Sequence, residues 1–124
     1  MSRRGQREDA LINTTDLYST IADIAGTSDS DLNDSKSFKS LLSDSAGNKR
    51  EFVYSERGNS NSGSDITIRN NTHKYILFED GTEALYNLSI NPLENPNLLN
   101  ANQLPLSVTD AEALELLKLR LEEL

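Results

Sequence analysis

Residues 73–88 read His-Lys-Tyr-Ile-Leu-Phe, then Glu-Asp-Gly-Thr, then Glu-Ala-Leu-Tyr-Asn-Leu. A run rich in β-branched and aromatic residues, an Asp-Gly turn and a second apolar run specify an antiparallel hairpin. The first strand is expected over residues 73–78, the turn over 79–82 and the partner over 84–88. Two more strands are expected upstream. Residues 51–56 place Phe52 and Tyr54 on one face and Val53 on the other, and residues 65–69 alternate with Ile66 and Ile68 inward. Between them residues 57–64, rich in Gly, Asn and Ser, read as an exposed loop.

Helical spacing brackets this sheet. Residues 15–25 set Leu17, Ile21, Ile24 and Ala25 on one face, with Asn13, Thr14 and Thr15 as candidate caps and Gly26 as the left-handed stop. Ser37 is placed to cap a short helix whose buried contacts are Phe38, Leu41 and Leu42. At the end of the chain, Thr109-Asp110-Ala111-Glu112 fits a capping box. It opens a helix to Leu124 with a stripe of Leu114, Leu117, Leu121 and Leu124, widened by Ala113 and Leu116. At under two heptads, that stripe reads as a helix on the sheet rather than a coiled coil. The expected class is α+β: a small antiparallel sheet of about four strands packed by a C-terminal helix, with an N-terminal helix and a short second helix. Residues 1–12 read as a flexible lead and residues 13–124 as one subdomain.

Composition narrows the chemistry. The 124 residues contain no Cys and no Trp, so there is no disulfide, thiolate metal site or cysteine nucleophile. The net charge of −8 opposes a nucleic-acid surface. Most of that charge lies in residues 51–124, where 5 basic against 12 acidic side chains read as a solvated surface. No apolar run approaches a membrane span, and the basic start Ser2-Arg3-Arg4-Gly5-Gln6-Arg7 lacks the apolar core of a signal peptide.

Four patterns of residue type and spacing stand out as candidate sites. Asp29-x-Asp31-x-Asn33 opens like a calcium loop, but Asp34 and Ser40 stand where such a loop needs Gly and Glu, so it reads as a solvated polar loop. A hydroxyl–imidazole–carboxylate triad would have to run through His73, the only histidine, which reads as a surface residue at the start of a strand. Adjacent acids such as Glu79-Asp80 and Glu122-Glu123 point apart on exposed elements. The sequons at Asn13, Asn33, Asn70 and Asn87 are what a chain rich in Asn, Ser and Thr holds by chance. No catalytic or metal residue is therefore assigned, and no substrate-binding residue is identified.

Three blocks nevertheless share an order. Residues 15–26, Thr-Asp-Leu-Tyr-Ser-Thr-Ile-Ala-Asp-Ile-Ala-Gly, resemble the Asp-Leu-x-Pro-Thr-Leu-x-x-Leu-Ala-Gly helix of sulfatases, with Ser19 in place of the family's proline. Residues 34–42 are similar to the family's Asp-Gly-x-Ser-Leu-x-Pro-Leu-Leu, with Ser35 in place of glycine. The third block comprises residues 50–56, Ile68-Arg69, residues 73–76 and the run Leu-Tyr-Asn-Leu-Ser-Ile-Asn-Pro-Leu-Glu-Asn-Pro-Asn-Leu over 85–98. That run resembles the family's carboxyl-terminal signature, with Asn87 and Asn91 where aspartate is preferred.

The resemblance, over residues 11–124, implies the carboxyl-terminal part of a sulfatase, in the alkaline-phosphatase-like superfamily. Sulfatases hydrolyse sulfuric esters with a formylglycine made within Cys/Ser-x-Pro-x-Arg, and a calcium ion held by aspartates from earlier in the chain assists. Pro92, Pro96 and Pro105 are the only prolines and none has Arg two residues later, so turnover by this chain alone is not expected and no cofactor is placed on it. The resemblance implies structural support for a catalytic domain supplied separately. If a segment reaches the rim of the substrate cleft, the loop 56–65, with Glu56 and Arg57, is the candidate, because loops positioned by a sheet commonly carry recognition. The alternative is a stand-alone module that self-associates through the apolar face of its first helix. Intact family members are often periplasmic or secreted; this stretch carries no address of its own.

Overall fold

A computed structural model describes residues 3–27, 34–44, 46–47, 49–59 and 63–124. The calcium-like run Asp29, Asp31 and Asn33 lies outside these residues. The chain forms two compact units, residues 1–51 and 52–124.

The first unit is built around helix α1 (Asp16–Ala25). Gly26 ends it as expected, at φ 75°, with Thr27 N–H donating to the Ala22 carbonyl. The start differs from expectation. Thr15 occupies the cap position with helical angles and no side-chain cap bond. The work falls to Asp16, whose Oδ2 accepts the Asn13 N–H at 2.7 Å.

The buried face of α1 is its polar one. Asp16, Ser19 and Thr20 are 1%, 0% and 4% exposed, while Leu17, Ile21 and Ile24 are 50%, 64% and 59% exposed. Polar burial costs little when every group is paired. The Thr20 hydroxyl donates to the Asp16 carbonyl and accepts the Phe38 N–H. Ser35 Oγ accepts the Ser19 N–H at 3.2 Å and donates to the Thr15 carbonyl at 2.6 Å. Asp16 accepts the Lys36 N–H at 2.8 Å and a two-pronged guanidinium from Arg50, which also reaches the Asp34 carbonyl.

A single 3-10 turn (Lys39–Leu42) replaces the expected second helix. Ser37 Oγ accepts the Lys39 N–H and donates to Asp23. Leu41 is buried, but Leu42 is 51% exposed, contrary to expectation. At three residues per turn, positions 38 and 41 share a side and 42 rotates away. The opening stretch, read above as a flexible lead, carries contacts of its own: Arg3 donates to the Leu41 carbonyl and to Glu8, and Leu11 bridges Arg50.

The second unit is the expected α+β arrangement. Strands β1 (Val53–Asn59), β2 (Gly63–Arg69), β3 (His73–Leu77) and β4 (Glu83–Asn87) form an antiparallel meander in chain order. The β1–β2 ladder runs further than anticipated, pairing Arg57 with Asp65, Gly58 with Ser64 and Asn59 with Gly63. Residues 57–59 and 63–64, expected as loop, are thus strand. A ladder needs backbone groups, not side-chain packing, and glycine lets the strands close. A Cβ on Gly58 would lie 2.3 Å from Ser64 Oγ and 2.5 Å from the Gly63 carbonyl oxygen.

Helix α2 (Val108–Glu122) covers the sheet. Leu117 joins Ile68, Tyr75 and Leu85 in the core, flanked by Leu114 and Leu121. Leu124 lies beyond the helix at 76% exposed and Leu116 is 40% exposed, so the buried stripe is shorter than the sequence suggested. The helix starts two residues early. Ser107, not Thr109, is the cap, and its Oγ accepts the Asp110 N–H at 3.1 Å.

The exit from β4 rests on Asn97. Its side chain accepts the Leu85 N–H and donates to the Glu83 carbonyl, and Leu98 N–H reaches the Leu85 carbonyl. An amide thereby stands in for a neighbouring strand along that edge.

Burial pushes the Asp16 carboxyl up, but the Arg50 guanidinium and two backbone N–H donors outweigh it, leaving it below its ordinary value. Its stabilising effect is therefore full above the unfolded carboxylate value and is lost as pH falls through the lower folded one. Asp16→Asn is expected to destabilise the first unit by about 3 kcal/mol at neutral pH, because Arg50 loses its counter-charge. Acid titration followed by hydrogen exchange at the α1 amides checks this: the variant should show a shallower loss of protection on acidification than the parent.

Candidate functional site

Three places on the chain assemble groups capable of chemistry or recognition. The first is His73. Expected at the surface, it is 2% exposed, because β3 sets its side chain towards the start of α2. Its Nε2 lies 2.8 Å from Asp110 Oδ1 and its Nδ1 lies 2.9 Å from Thr72 Oγ1. A hydroxyl–imidazole–carboxylate chain therefore does run through the only histidine. Its geometry suits anchoring. The Thr72 hydroxyl also lies 3.1 Å from Asn70 Oδ1 within the turn between β2 and β3. Asp110 is held again by Asn87 Nδ2 at 2.9 Å and by the Ser107 hydroxyl at 2.5 Å.

The Asp110 carboxyl is raised by burial, yet the His73, Ser107 and Asn87 contacts together bring it below its ordinary value. One carboxylate thus ties a strand end, a helix cap and the β4 exit together. Sequence reasoning missed this site. Its only signal was Ser107-x-x-Asp110, a second serine-led cap two residues before the one chosen.

The second place is the end of the β1–β2 hairpin. Glu56 accepts the Tyr54 hydroxyl at 3.0 Å, and hydrogen bonds from Ser64 and Tyr54 hold its carboxyl below the ordinary value. Arg57 is exposed and lies opposite Asp65 in register. Asp65 turns instead to the Glu79 N–H at 3.1 Å. The other basic residues of this unit are engaged: Lys74 with Glu94, Lys118 with Glu83, Arg120 with Glu123 and Arg69 with the Asn70 carbonyl. Arg57 has no ion pair among the described residues. Beside the hairpin, Asp65, Phe78, Glu79, Asp80 and Thr82 line an open cleft of about 460 Å³. Three carboxylates make that cleft hostile to an anion.

The third is the outer face of α1, where Leu17, Tyr18, Ile21 and Ile24 face solvent. Among the described residues, no group of three or more His, Asp or Glu is placed to hold a metal ion. No described helix is long and apolar enough to cross a membrane.

No protein-family model matches the chain, and no curated protein matches it. Solved structures do. A 2-O glycosaminoglycan sulfatase superposes with a TM-score of 0.76 at 22% identity, over 95% of this chain and 26% of its own. A protein solved with its substrate D-glucosamine-2-N,6-O-disulfate gives 0.65 at 20% identity, over 86% and 23%. The phosphonate monoester hydrolase of Agrobacterium radiobacter gives 0.58 at 24% identity, over 88% and 25%.

The fold is that of part of a sulfatase. The chain spans about a quarter of the length of these structures, as expected for a carboxyl-terminal part. Against the family pattern, two departures now meet in space. The serine at position 19, in place of proline, supplies an N–H, and the serine at position 35, in place of glycine, supplies the hydroxyl that accepts it. A third departure, Asn87, donates to Asp110, where an aspartate would present a second carboxylate.

Asn87→Asp should therefore set two carboxylates side by side, raising the pKa of the pair. The variant is expected to be less stable than the parent at neutral pH and to recover as pH falls through that raised value. Chemical denaturation at pH 7.5 and pH 5 checks the sign. A variant equally stable at both, relative to the parent, would remove the proposed contact.

Proposed function

We propose that this chain is the carboxyl-terminal subdomain, residues 13–124, of a sulfatase-like enzyme. In this reading it supports a catalytic domain and lends it one rim of the substrate cleft. The single observation that carries the reading is the asymmetry of the structural match: 84–95% of this chain falls on 22–26% of each neighbour. A separate fold that merely resembled a subdomain would have no reason to follow the three sequence blocks in order as well.

The chemistry is consistent with support rather than catalysis. The proline positions offer no formylglycine motif. The calcium of an intact sulfatase does not fit the described residues, since no acid cluster among them is placed for it; in this reading the ion belongs to the catalytic domain.

For the rim, the segment 56–65 is the one we nominate, of which residues 60–62 lie outside the described residues. Loops and hairpin ends held by a rigid sheet commonly carry recognition. Arg57 is exposed there without an ionic partner among the described residues, and it is the residue suited to an anionic substituent of a sulfated saccharide. The acidic cleft beside it would turn such a group away from the sheet and towards Arg57.

Two measurements test this reading. The purified chain should show no turnover of an aryl sulfate; activity intrinsic to it would overturn the assignment. In an enzyme assembled from this chain and a sulfatase catalytic domain, Arg57→Gln should raise KM for a sulfated saccharide about 10-fold with kcat little changed, the signature of lost ground-state binding. An unchanged KM would remove the hairpin from the rim. An upstream reading frame encoding Cys/Ser-x-Pro-x-Arg would identify the domain it serves.

A further inference from the structure

We infer that the cleft beside the β1–β2 hairpin holds an uncharged sugar residue, the neighbour of the sulfated one. The inference rests on the rim reading just given and narrows its substrate class. Asp65, Phe78, Glu79, Asp80 and Thr82 line the cleft, which has a volume of about 460 Å³. Pockets for small organic ligands run from about 300 to 1,000 Å³, so one sugar residue fits.

Two turns build the walls. Asp65 Oδ1 accepts the Glu79 N–H, joining β2 to the turn after β3. Gly63 lets the hairpin end close on that turn, since a Cβ there would lie 3.0 Å from Glu79 Cγ. Asp80 Oδ1 accepts the Thr82 N–H at 2.9 Å and the Thr82 hydroxyl at 2.6 Å. Those two bonds hold the Asp80 carboxyl below its ordinary value. Asp65 Oδ2, Asp80 Oδ2 and both oxygens of Glu79 are left with no hydrogen bond or ion pair among the described residues.

The lining therefore offers acceptors and an aromatic ring, with no cation. A bare metal ion is the wrong occupant, because no group of three acids among the described residues is placed to hold one. The acceptors are spread for something larger. An uncharged sugar matches the whole lining: its hydroxyls donate to carboxylate oxygens, and its C–H face suits the Phe78 ring. A uronate, or a second sulfate, would set its own charge against three carboxylates.

The position of Arg57 fits consecutive residues of one saccharide. Arg57 lies directly opposite Asp65, so the two share a face on strands about 4.8 Å apart. That spacing is comparable with the span of one pyranose ring. A sulfate ester held by Arg57 thus leaves the adjoining sugar over the cleft. Selectivity then comes from the second residue, which must be uncharged.

The test uses the full chain and two monosulfated disaccharides that differ in the second residue, an unsubstituted hexose in one and a uronate in the other. In a titration followed by amide shifts, the hexose form is expected to move Phe78, Glu79 and Thr82. The uronate form should bind about 10-fold more weakly. Glu79→Gln removes a charge from an exposed turn position, so the variant should melt with the parent while the preference narrows to about 3-fold. Arg57→Gln should weaken both ligands alike and leave the preference intact.

Equal affinity for the two disaccharides, each still dependent on Arg57, would overturn the cleft inference and leave the rim reading standing. A preference that Glu79→Gln does not change has the same meaning. So does tighter binding of a disaccharide whose second residue bears a free ammonium, which would make the cleft a cation site. Binding of neither disaccharide, with the chain folded, would overturn both.

Discussion

The Asp16 carboxylate decides which way round the first helix sits. It is 1% exposed, and a buried charge is tolerable only when its oxygens are saturated. Asn13 N–H, Lys36 N–H and the Arg50 guanidinium do this. Those donors come from before the helix, from the loop after it and from the end of the unit. Satisfying one side chain therefore fixes three segments, and it directs the polar face of α1 inwards. The exposure of Leu17, Ile21 and Ile24 follows from that choice.

The second unit repeats the device with different residues. Asp110 joins His73 on β3, Asn87 at the end of β4 and the Ser107 cap of α2. Asn97 then closes the outer edge of β4 with its amide. With a core cluster of four buried hydrophobic residues among those described, Ile68, Tyr75, Leu85 and Leu117, and a surrounding ring of partly buried ones, apolar burial alone leaves several strand and helix orientations open. Directional hydrogen bonds select among them. The same economy explains why this region carries acidic residues without an obvious catalytic purpose: those that are buried are structural ties.

The departures from the sulfatase pattern gain a physical meaning in this light. Read singly, Ser19 and Ser35 look like losses, a missing rigid turn and a missing flexible one. In space they are donor and acceptor of one hydrogen bond. The residue that takes the left-handed conformation is Asp34, at φ 57°, so Ser35 is free to turn its hydroxyl to the helix. Asn87 likewise keeps the turn-forming shape while sparing Asp110 a like charge.

Sequence alone determined the four strands, the Asp-Gly hairpin, the Gly26 stop and the amphipathic character of the first helix. These are local properties, set by side-chain period and by which residues adopt left-handed or extended backbone. It also carried the block order that leads to the sulfatase fold. Tertiary structure alone decided that His73 is buried, that Ser107 rather than Thr109 caps α2, that β1 and β2 pair through residues 57–59, and that α1 turns its apolar side outwards. Each depends on partners distant in the chain, such as Arg50 for Asp16 and Asp110 for His73. Periodicity shows that a helix has two unlike faces. Which of them is buried is settled by where the matching donors and acceptors arrive in space.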